Sequence, residues 1–217
     1  MLREFERTPV VTYALIAVNF LVFLLSLAMG LPRVFLAYGA VPAMIVFEHE
    51  YYRLITSMFL HADLLHILFN MWALFIFGRD IESTVGSGRF TLVYFLSGIA
   101  GGIAYVFYML TYAAAFDPRA AFVPAIGASG AVFGVMGSFA VLFPRRPVAF
   151  FLYFLPIVAP AFAAIAIMGL IQTLLALALP FGSIAYTAHV GGLVVGMLMG
   201  LWFRALIRRR YYVLFYY

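Results

Sequence analysis

The sequence predicts an all-α protein that crosses a membrane six times, and three observations lead to this prediction. Of the 217 residues, 67% are hydrophobic and only 10% are charged, and the mean hydropathy is +1.11. In soluble domains roughly a quarter of the residues are charged, so this chain has too few charged residues to cover a water-exposed surface. All 13 basic residues are arginines that stand singly or in short groups between long apolar segments. This pattern is typical of membrane topology signals and does not form a nucleic-acid-binding stripe.

The segments between charged residues are candidate spans, because a bilayer core of about 30 Å needs roughly 20 predominantly apolar residues. The first helix is predicted at 10–29 and is expected to be retained, since its apolar run is too long for the h-region of a typical signal peptide and no convincing small-residue cleavage site follows it. A large loop over 31–57, rich in interfacial aromatic residues, follows it. The second helix is predicted at 64–78 and the third at 90–112.

The fourth helix, predicted at 129–143, is unusually short for a membrane span. Pro124 and Gly127 before it, and Ser129 and Gly130 at its start, disfavour a regular helix at that end. At 1.5 Å per residue the helix reaches only about 22 Å, so it is expected to begin below the membrane surface.

The last uncharged stretch of the chain has room for two helices. The fifth is predicted at 161–179, after an irregular apolar segment that contains Pro156 and Pro160, and the sixth is predicted at 186–204. A turn is expected between them, at Pro180, Gly182 and Ser183. We therefore expect a single domain that covers residues 1–217.

The arginines are divided unequally between the two ends of these helices. Only three lie at one end, namely Arg33, Arg53 and Arg119. Ten lie at the other end: Arg3, Arg7, Arg79, Arg89, Arg145, Arg146, Arg204, Arg208, Arg209 and Arg210. The positive-inside rule therefore predicts a multi-pass integral membrane protein with both termini in the cytoplasm.

Few polar side chains lie within the predicted helices, and most of them fall at the outer end. A polar group in hydrocarbon is costly and usually marks a functional site inside the bundle. His66 and Asn70 share one face of the second helix and have the chemistry to hold an oxyanion, although they could equally join helices by hydrogen bonds. His61 and Asp63 lie closer to water, and Gln172 in the fifth helix is expected to form an interhelical hydrogen bond.

Ser129 follows a run of small residues at the start of the fourth helix, in the sequence Gly127-Ala128-Ser129-Gly130. Such a setting leaves a hydroxyl open to attack a carbonyl group, and a helix N-terminus offers free N–H groups. Glycine and serine are also helix-packing residues, so this motif alone leaves both interpretations open.

Two stripes of small residues predict which helices lie in contact. They are Gly130, Gly134 and Ser138 in the fourth helix, and Gly192, Gly196 and Gly200 in the sixth. Helices with such stripes pack backbone to backbone, which would bring His189 next to Ser129. A histidine is the base that a serine nucleophile requires, and Phe133, one turn further along, is placed to stack on its ring.

At these residues the chain resembles the rhomboid intramembrane serine proteases, of the six-helix prokaryotic type. The matching segments are Tyr52-Arg53-Leu54-Ile55-Thr56, Met58-Phe59-Leu60-His61, His66-Ile67-Leu68-Phe69-Asn70, Gly127 to Gly130 with Gly134 and Gly137, and Ala188-His189 with Gly192. The departures are Tyr52, where many members have Trp, and Phe133, where Tyr is common.

The resemblance implies a Ser–His dyad with Ser129 as the nucleophile and His189 as the general base. It also implies an oxyanion hole made by His66, Asn70 and the backbone N–H of Ser129. Glu82 and Arg89 fall where the family has structural polar residues. The 31–57 loop would be partly embedded in the membrane, and the fifth helix would be a substrate gate.

The expected function is therefore an intramembrane serine endopeptidase in the inner cell membrane that cleaves transmembrane segments of single-pass proteins near the outer boundary. Its expected partners are these substrates and the lipid bilayer, with no nucleic acid, metal or cofactor. The chain lacks the ligand spacing of a zinc protease and the paired intramembrane carboxylates of an aspartyl protease. A non-cleaving rhomboid-like binding protein and a proton-conducting transporter remain as alternatives.

Overall fold

Six apolar helices form the bundle of a polytopic membrane protein, as the sequence predicts. A computed structural model of the chain describes residues 8–152, 155–179 and 184–216. Within this part of the chain, five helices are long and apolar enough to cross a membrane, and Ser129–Leu142 is a shorter apolar helix. Large side chains such as Leu24, Phe107 and Leu198 are exposed on the outside of the bundle, where lipid would cover them.

The helices and strands follow in chain order. The α-helices are α1 (Val10–Met29), α2 (Leu31–Tyr38), α3 (Pro42–Val46), α4 (Arg53–Thr56), α5 (Leu64–Ala73), α6 (Arg79–Val85), α7 (Ser87–Thr111), α8 (Ser129–Leu142), α9 (Ala161–Ala178) and α10 (Tyr186–Tyr216). A π-helical turn, Leu74–Gly78, joins α5 to α6, and the strands β1 (Pro147–Leu152) and β2 (Leu155–Pro160) precede α9. The turn predicted at Pro180, Gly182 and Ser183 lies outside the described residues, as do Arg3 and Arg7.

The second span continues beyond residue 78, where the sequence predicted its end. The helix continues through the charged residues of α6 and ends only at Gly86, whose φ of 87° favours glycine. The carboxylate of Glu82 is fully buried here and accepts hydrogen bonds from the Val11 and Thr12 amides, the Thr12 hydroxyl and the Ser87 hydroxyl. The Val11 and Thr12 amides belong to the N-terminus of α1, where a negative charge is favourable. They therefore stabilise the buried charge of Glu82, and the helix continues past it.

The segment before α9 is a β-hairpin, so the expectation of an irregular segment there was wrong. Its two antiparallel strands pair Pro147 with Pro160 and Val148 with Ala159. Proline is tolerated in such a hairpin because both strands are edges and some N–H groups need no partner. Pro156 and Pro160 therefore indicated correctly that this segment is not helical, but they did not mean that it lacks regular structure.

Short helices fill the 31–57 region, which the sequence indicated only as a large loop. The guanidinium group of Arg53 is buried and donates to the carbonyl oxygens of Leu36 and Gly39, at 2.8 and 3.0 Å. Ala40 and Ala125 exchange backbone hydrogen bonds at 2.9 and 3.0 Å. These contacts tie the region to the segment that leads into α8.

Helix α8 forms the centre of the bundle, with every residue from Gly130 to Val141 buried. The predicted contact between the two small-residue stripes is confirmed by how closely the backbones approach. A Cβ atom added to Gly192 would lie only 1.9 Å from the carbonyl oxygen of Gly130, and one added to Gly196 only 1.8 Å from that of Gly134. The hydroxyl of Ser138 also donates to the Gly196 carbonyl, at 2.7 Å.

Candidate active site

Ser129 is the first residue of α8 and is half-buried. The chain enters this helix through Gly127, whose φ of 124° is rarely adopted by residues with a side chain. The Gly127 amide donates to the Ser57 carbonyl at 2.9 Å, which fixes the turn. The first N–H groups of a helix have no partner within it, so the Ser129 hydroxyl lies beside backbone donors.

The imidazole of His189 reaches Ser129 from the first turn of α10. Its Nε2 atom lies 2.8 Å from the Ser129 Oγ atom, although 60 residues separate the two in sequence. His189 is 8% exposed, so the pair is held away from bulk solvent. The close approach of Gly130 to Gly192, described above, allows the two helices to bring these side chains into contact.

Two aromatic residues contact the His189 ring. Phe133 stacks on it with ring centroids 4.4 Å apart and planes 3° apart, in the position that the sequence predicted. Tyr186 approaches it edge-on, with centroids 6.5 Å apart. These contacts restrict rotation of the imidazole and leave its two nitrogens to form hydrogen bonds.

The second nitrogen of His189 contacts Gln172, a partner that the sequence did not reveal. The Nδ1 atom lies 2.8 Å from the Oε1 atom of Gln172, in α9. The sequence indicated an interhelical hydrogen bond for this glutamine, but it did not indicate to which residue. Among the described residues, no carboxylate forms a hydrogen bond or ion pair with His189.

His66 also lies close to the Ser129 hydroxyl. A Cβ atom added to Gly127 would lie 2.9 Å from the His66 Nε2 atom and 3.5 Å from the Ser129 Oγ atom, so both atoms flank the same small space. The His66 Nδ1 atom accepts the Ala62 amide at 3.3 Å. In a neutral imidazole the other nitrogen then carries the proton, so Nε2 is a hydrogen-bond donor that faces the site.

Asn70 is buried one turn further along the same helix. Its Nδ2 atom donates to the His66 carbonyl at 2.9 Å, which leaves one of its two amide protons for another acceptor. Asp63 caps this helix by accepting the His66 amide at 2.8 Å. Asp63 therefore positions His66 from the backbone and does not contact the serine–histidine pair.

His61 packs edge-on against His66, with ring centroids 5.0 Å apart, and is fully buried. Burial lowers the pKa of the His61 imidazole from its ordinary value of 6.5 to about 3, and the charge of His66 acts in the same direction. His61 is therefore neutral at physiological pH and supports the ring of His66. It does not reach the Ser129 hydroxyl.

The arrangement brings together the chemical groups that acyl transfer requires. It holds a hydroxyl in contact with an imidazole, and it holds N–H donors next to that hydroxyl. A base within hydrogen-bond distance activates a serine, and fixed donors stabilise the oxyanion that forms when the serine attacks a carbonyl. Ser129, His189, His66 and Asn70 therefore converge on one end of the bundle.

Known proteins are similar to this chain in sequence. The chain matches the family model described as the Rhomboid domain over residues 48–206, a range that contains all the site residues above. It is 35% identical over 148 residues to Rhomboid protein 1, mitochondrial, of Saccharomyces cerevisiae, covering 68% of this chain and 40% of that protein. It is 36% identical over 133 residues to Rhomboid protease GluP of Bacillus subtilis, covering 60% of this chain and 24% of that protein.

A third relative is the putative rhomboid protease YdcA of Bacillus subtilis. It is 43% identical over 89 residues, which are 41% of this chain and 39% of that protein. The chain thus spans between about a quarter and two fifths of the length of these curated relatives.

Proposed function

The chain belongs to the rhomboid family, and from this premise we propose that it is a serine protease that cleaves peptide bonds within the membrane. One observation carries the proposal, which is the 2.8 Å contact between the Ser129 hydroxyl and the His189 imidazole. Two relatives whose names include "rhomboid protease" support it. In this proposal Ser129 is the nucleophile and His189 is the general base.

The first step forms an acyl-enzyme. His189 Nε2 takes the proton of the Ser129 hydroxyl as Oγ attacks the carbonyl carbon of the scissile peptide bond. The carbonyl oxygen becomes an oxyanion, which accepts hydrogen bonds from the His66 Nε2–H, the Asn70 amide and the Ser129 backbone N–H. The imidazolium then gives its proton to the leaving nitrogen, and the C–N bond breaks.

The second step repeats this chemistry with water. His189 accepts a proton from a water molecule as the water oxygen attacks the ester carbonyl of the acyl-enzyme. A second oxyanion forms against the same donors. When it collapses, the ester bond breaks and the proton on His189 returns to the Ser129 oxygen. The carboxylic acid product leaves, and the enzyme returns to its starting state.

The substrates in this proposal are transmembrane segments of single-pass membrane proteins. Ser129 lies at the end of a helix of 14 residues, which spans about 21 Å and is shorter than a bilayer core. A substrate bond must therefore enter the bundle below the membrane surface to reach it. Its backbone must also leave the helical conformation, because a helix engages its own carbonyl groups. We expect cleavage near residues that weaken a helix.

The unequal distribution of the arginines supports a cytoplasmic location of both ends of the chain, with the site near the opposite membrane face. Because the chain has no cysteine, any introduced cysteine is its only thiol. One cysteine at Ser83 and another at Phe116 give two single-thiol variants for labelling in intact cells with an impermeant maleimide. The proposal expects label at position 116 and not at position 83, and the reverse result would overturn it.

Cleavage of a model transmembrane substrate in liposomes tests the proposed activity directly. We expect the unchanged protein to cut the substrate and Ser129→Ala or His189→Ala to leave it intact. Ser138→Ala is a matched control, because Ser138 lies on the same helix and contacts only the neighbouring backbone in the described hydrogen bonds. A fluorophosphonate should label the unchanged protein and Ser138→Ala but not Ser129→Ala. The protease assignment fails if no substrate is cut, or if Ser129→Ala cuts as well as the unchanged protein.

A further inference from the structure

Gln172 lies on the face of α9 that turns toward the interior of the bundle. This face also carries Ile165, Gly169 and Ala176, which are buried and follow the spacing of three and four residues of one helix face. Neighbouring residues on other faces, such as Leu170 and Leu174, are exposed where lipid would lie. A glutamine amide in such a helix is costly unless its polar atoms find partners.

The contact with Gln172 favours one of the two neutral tautomers of His189. A neutral imidazole has one N–H donor and one acceptor nitrogen. His189 Nε2 must be the acceptor if it is to take the proton of Ser129, so Nδ1 must carry the hydrogen. The Gln172 Oε1 atom, 2.8 Å away, is an acceptor placed for that hydrogen. In the opposite tautomer Nδ1 would be an acceptor, and the Gln172 amide would have to turn its NH2 group toward the ring to keep a hydrogen bond.

We infer that Gln172 is a positioning residue that holds His189 in the tautomer and orientation required by Ser129. This inference rests on the proposed protease function. It places a neutral amide where soluble serine proteases of the triad type use a carboxylate. The third group of this site comes from α9, a different helix from those that carry Ser129 and His189.

A neutral acceptor suits this location physically. A carboxylate in a membrane-spanning helix is costly, because its charge must be removed from water. An amide carbonyl accepts the same Nδ1–H hydrogen bond without a full charge, and so it fixes the tautomer at a lower cost. It stabilises an imidazolium less than a carboxylate would, so its main effect is orientation.

Three variants separate positioning from simple helix packing. Gln172→Met keeps an unbranched side chain of similar shape but removes the amide oxygen, whereas Gln172→Glu keeps an acceptor oxygen at the same position. Thr173→Val is the matched control, since the Thr173 hydroxyl bonds only to its own helix, at the Gly169 carbonyl, in the described hydrogen bonds. Each variant is assayed for kcat and KM on one substrate, for the rate of Ser129 labelling by a fluorophosphonate, and for thermal stability.

We expect Gln172→Met to lower both kcat and the labelling rate about tenfold, with KM unchanged, because one orienting hydrogen bond is lost. Gln172→Glu should restore most of both rates, and Thr173→Val should match the unchanged protein. The inference is overturned if Gln172→Met retains both rates within about twofold, if only KM or thermal stability changes, or if Gln172→Glu is as slow as Gln172→Met. If Gln172→Met does not fold, Gln172→Leu replaces it in the same comparison, with the same expected and contradicting results.

Failure of this inference is distinguishable from failure of the protease proposal. If the unchanged protein and Ser129→Ala behave alike, the proposed function itself is wrong. If the unchanged protein is active and labelled at Ser129 while Gln172→Met is equally active, only the positioning role is wrong.

Discussion

The imidazole of His189 lies flat against the ring of Phe133, with ring centroids 4.4 Å apart and planes 3° apart. The two residues belong to α10 and α8, so the stack joins the helix that carries the proposed base to the helix that carries the proposed nucleophile. Because Nε2 and Nδ1 lie in the plane of the ring, a ring held flat presents both nitrogens in fixed directions. The stack is therefore expected to affect catalysis through orientation.

Replacing Phe133 should lower turnover more than stability. Such a stack contributes about 0.5 to 1.5 kcal/mol, so Phe133→Leu should reduce kcat roughly threefold to tenfold, and Phe133→Tyr should remain close to the unchanged protein. Phe139→Leu is the control, because Phe139 is buried on the same helix but contacts Phe77 edge-on and Phe143 at a tilt. Steady-state kinetics and thermal unfolding in detergent are compared. Equal effects of both leucine substitutions on kcat would contradict the prediction.

Adding a methyl group between α8 and α10 should destabilise the bundle in proportion to how closely the backbones approach. In Gly196→Ala the new Cβ atom would lie 1.8 Å from the Gly134 carbonyl oxygen, and in Gly200→Ala 3.0 Å from the Ser138 Cα atom. Gly88 has no atom within 4 Å of such a Cβ atom, so Gly88→Ala is the control. Overpacking costs typically 1 to 3 kcal/mol, so we expect the melting temperature to fall most for Gly196→Ala and least for Gly88→Ala. A melting temperature of Gly196→Ala equal to that of Gly88→Ala would be inconsistent with this.

The sequence predicted the helices and the helix contact for a physical reason. In a membrane, polar groups are rare and small residues determine how closely helices approach, so both signals stand out against an apolar background. The stripes that begin at Gly130 and Gly192 were sufficient to indicate that Ser129 and His189 meet. The distance of 2.8 Å between the Ser129 Oγ atom and the His189 Nε2 atom is consistent with that packing.

The features that the sequence did not predict depend on contacts between separate segments of the chain. The environment of Glu82 is formed by the start of α1, about 70 residues earlier, so the sequence predicted the end of this span at residue 78, before the charged residues of α6. The partner of Gln172 lies on another helix, 17 residues later, and α9 has no stripe of glycines to indicate the contact. The β-hairpin before α9 contains prolines at positions that only pairing between its own strands makes acceptable.

The donors of the proposed oxyanion hole should contribute unequally. His66 Nε2–H faces the site, so His66→Ala should lower kcat by about 10² to 10³, the usual effect of losing such a donor, with little change in KM. Asn70→Ala should cost less, because one amide proton of Asn70 is already bonded to the His66 carbonyl. His49→Asn, in the exposed part of the loop, is the control. A larger loss of kcat for Asn70→Ala than for His66→Ala would reverse the assigned order.

The stability of the protein should fall in mild acid because of His61. Burial and the charge of His66 lower the pKa of His61 to about 3, whereas the nearby Asp63 raises it, and the ordinary value is 6.5. Between these two values the unfolded chain binds a proton at His61 that the folded protein does not bind. The stabilising effect is therefore complete well above pH 6.5 and is lost progressively as the pH falls from there toward 3.

His61→Gln isolates this effect, because glutamine does not titrate while His66 and His189 titrate in both proteins. Thermal unfolding in detergent from about pH 8 to about pH 4 is compared for the two. Above pH 6.5 the difference between their melting temperatures should be constant, and below it the unchanged protein should lose stability faster. A difference that stays constant over the whole range would mean that His61 takes up a proton in the folded protein as readily as in the unfolded chain.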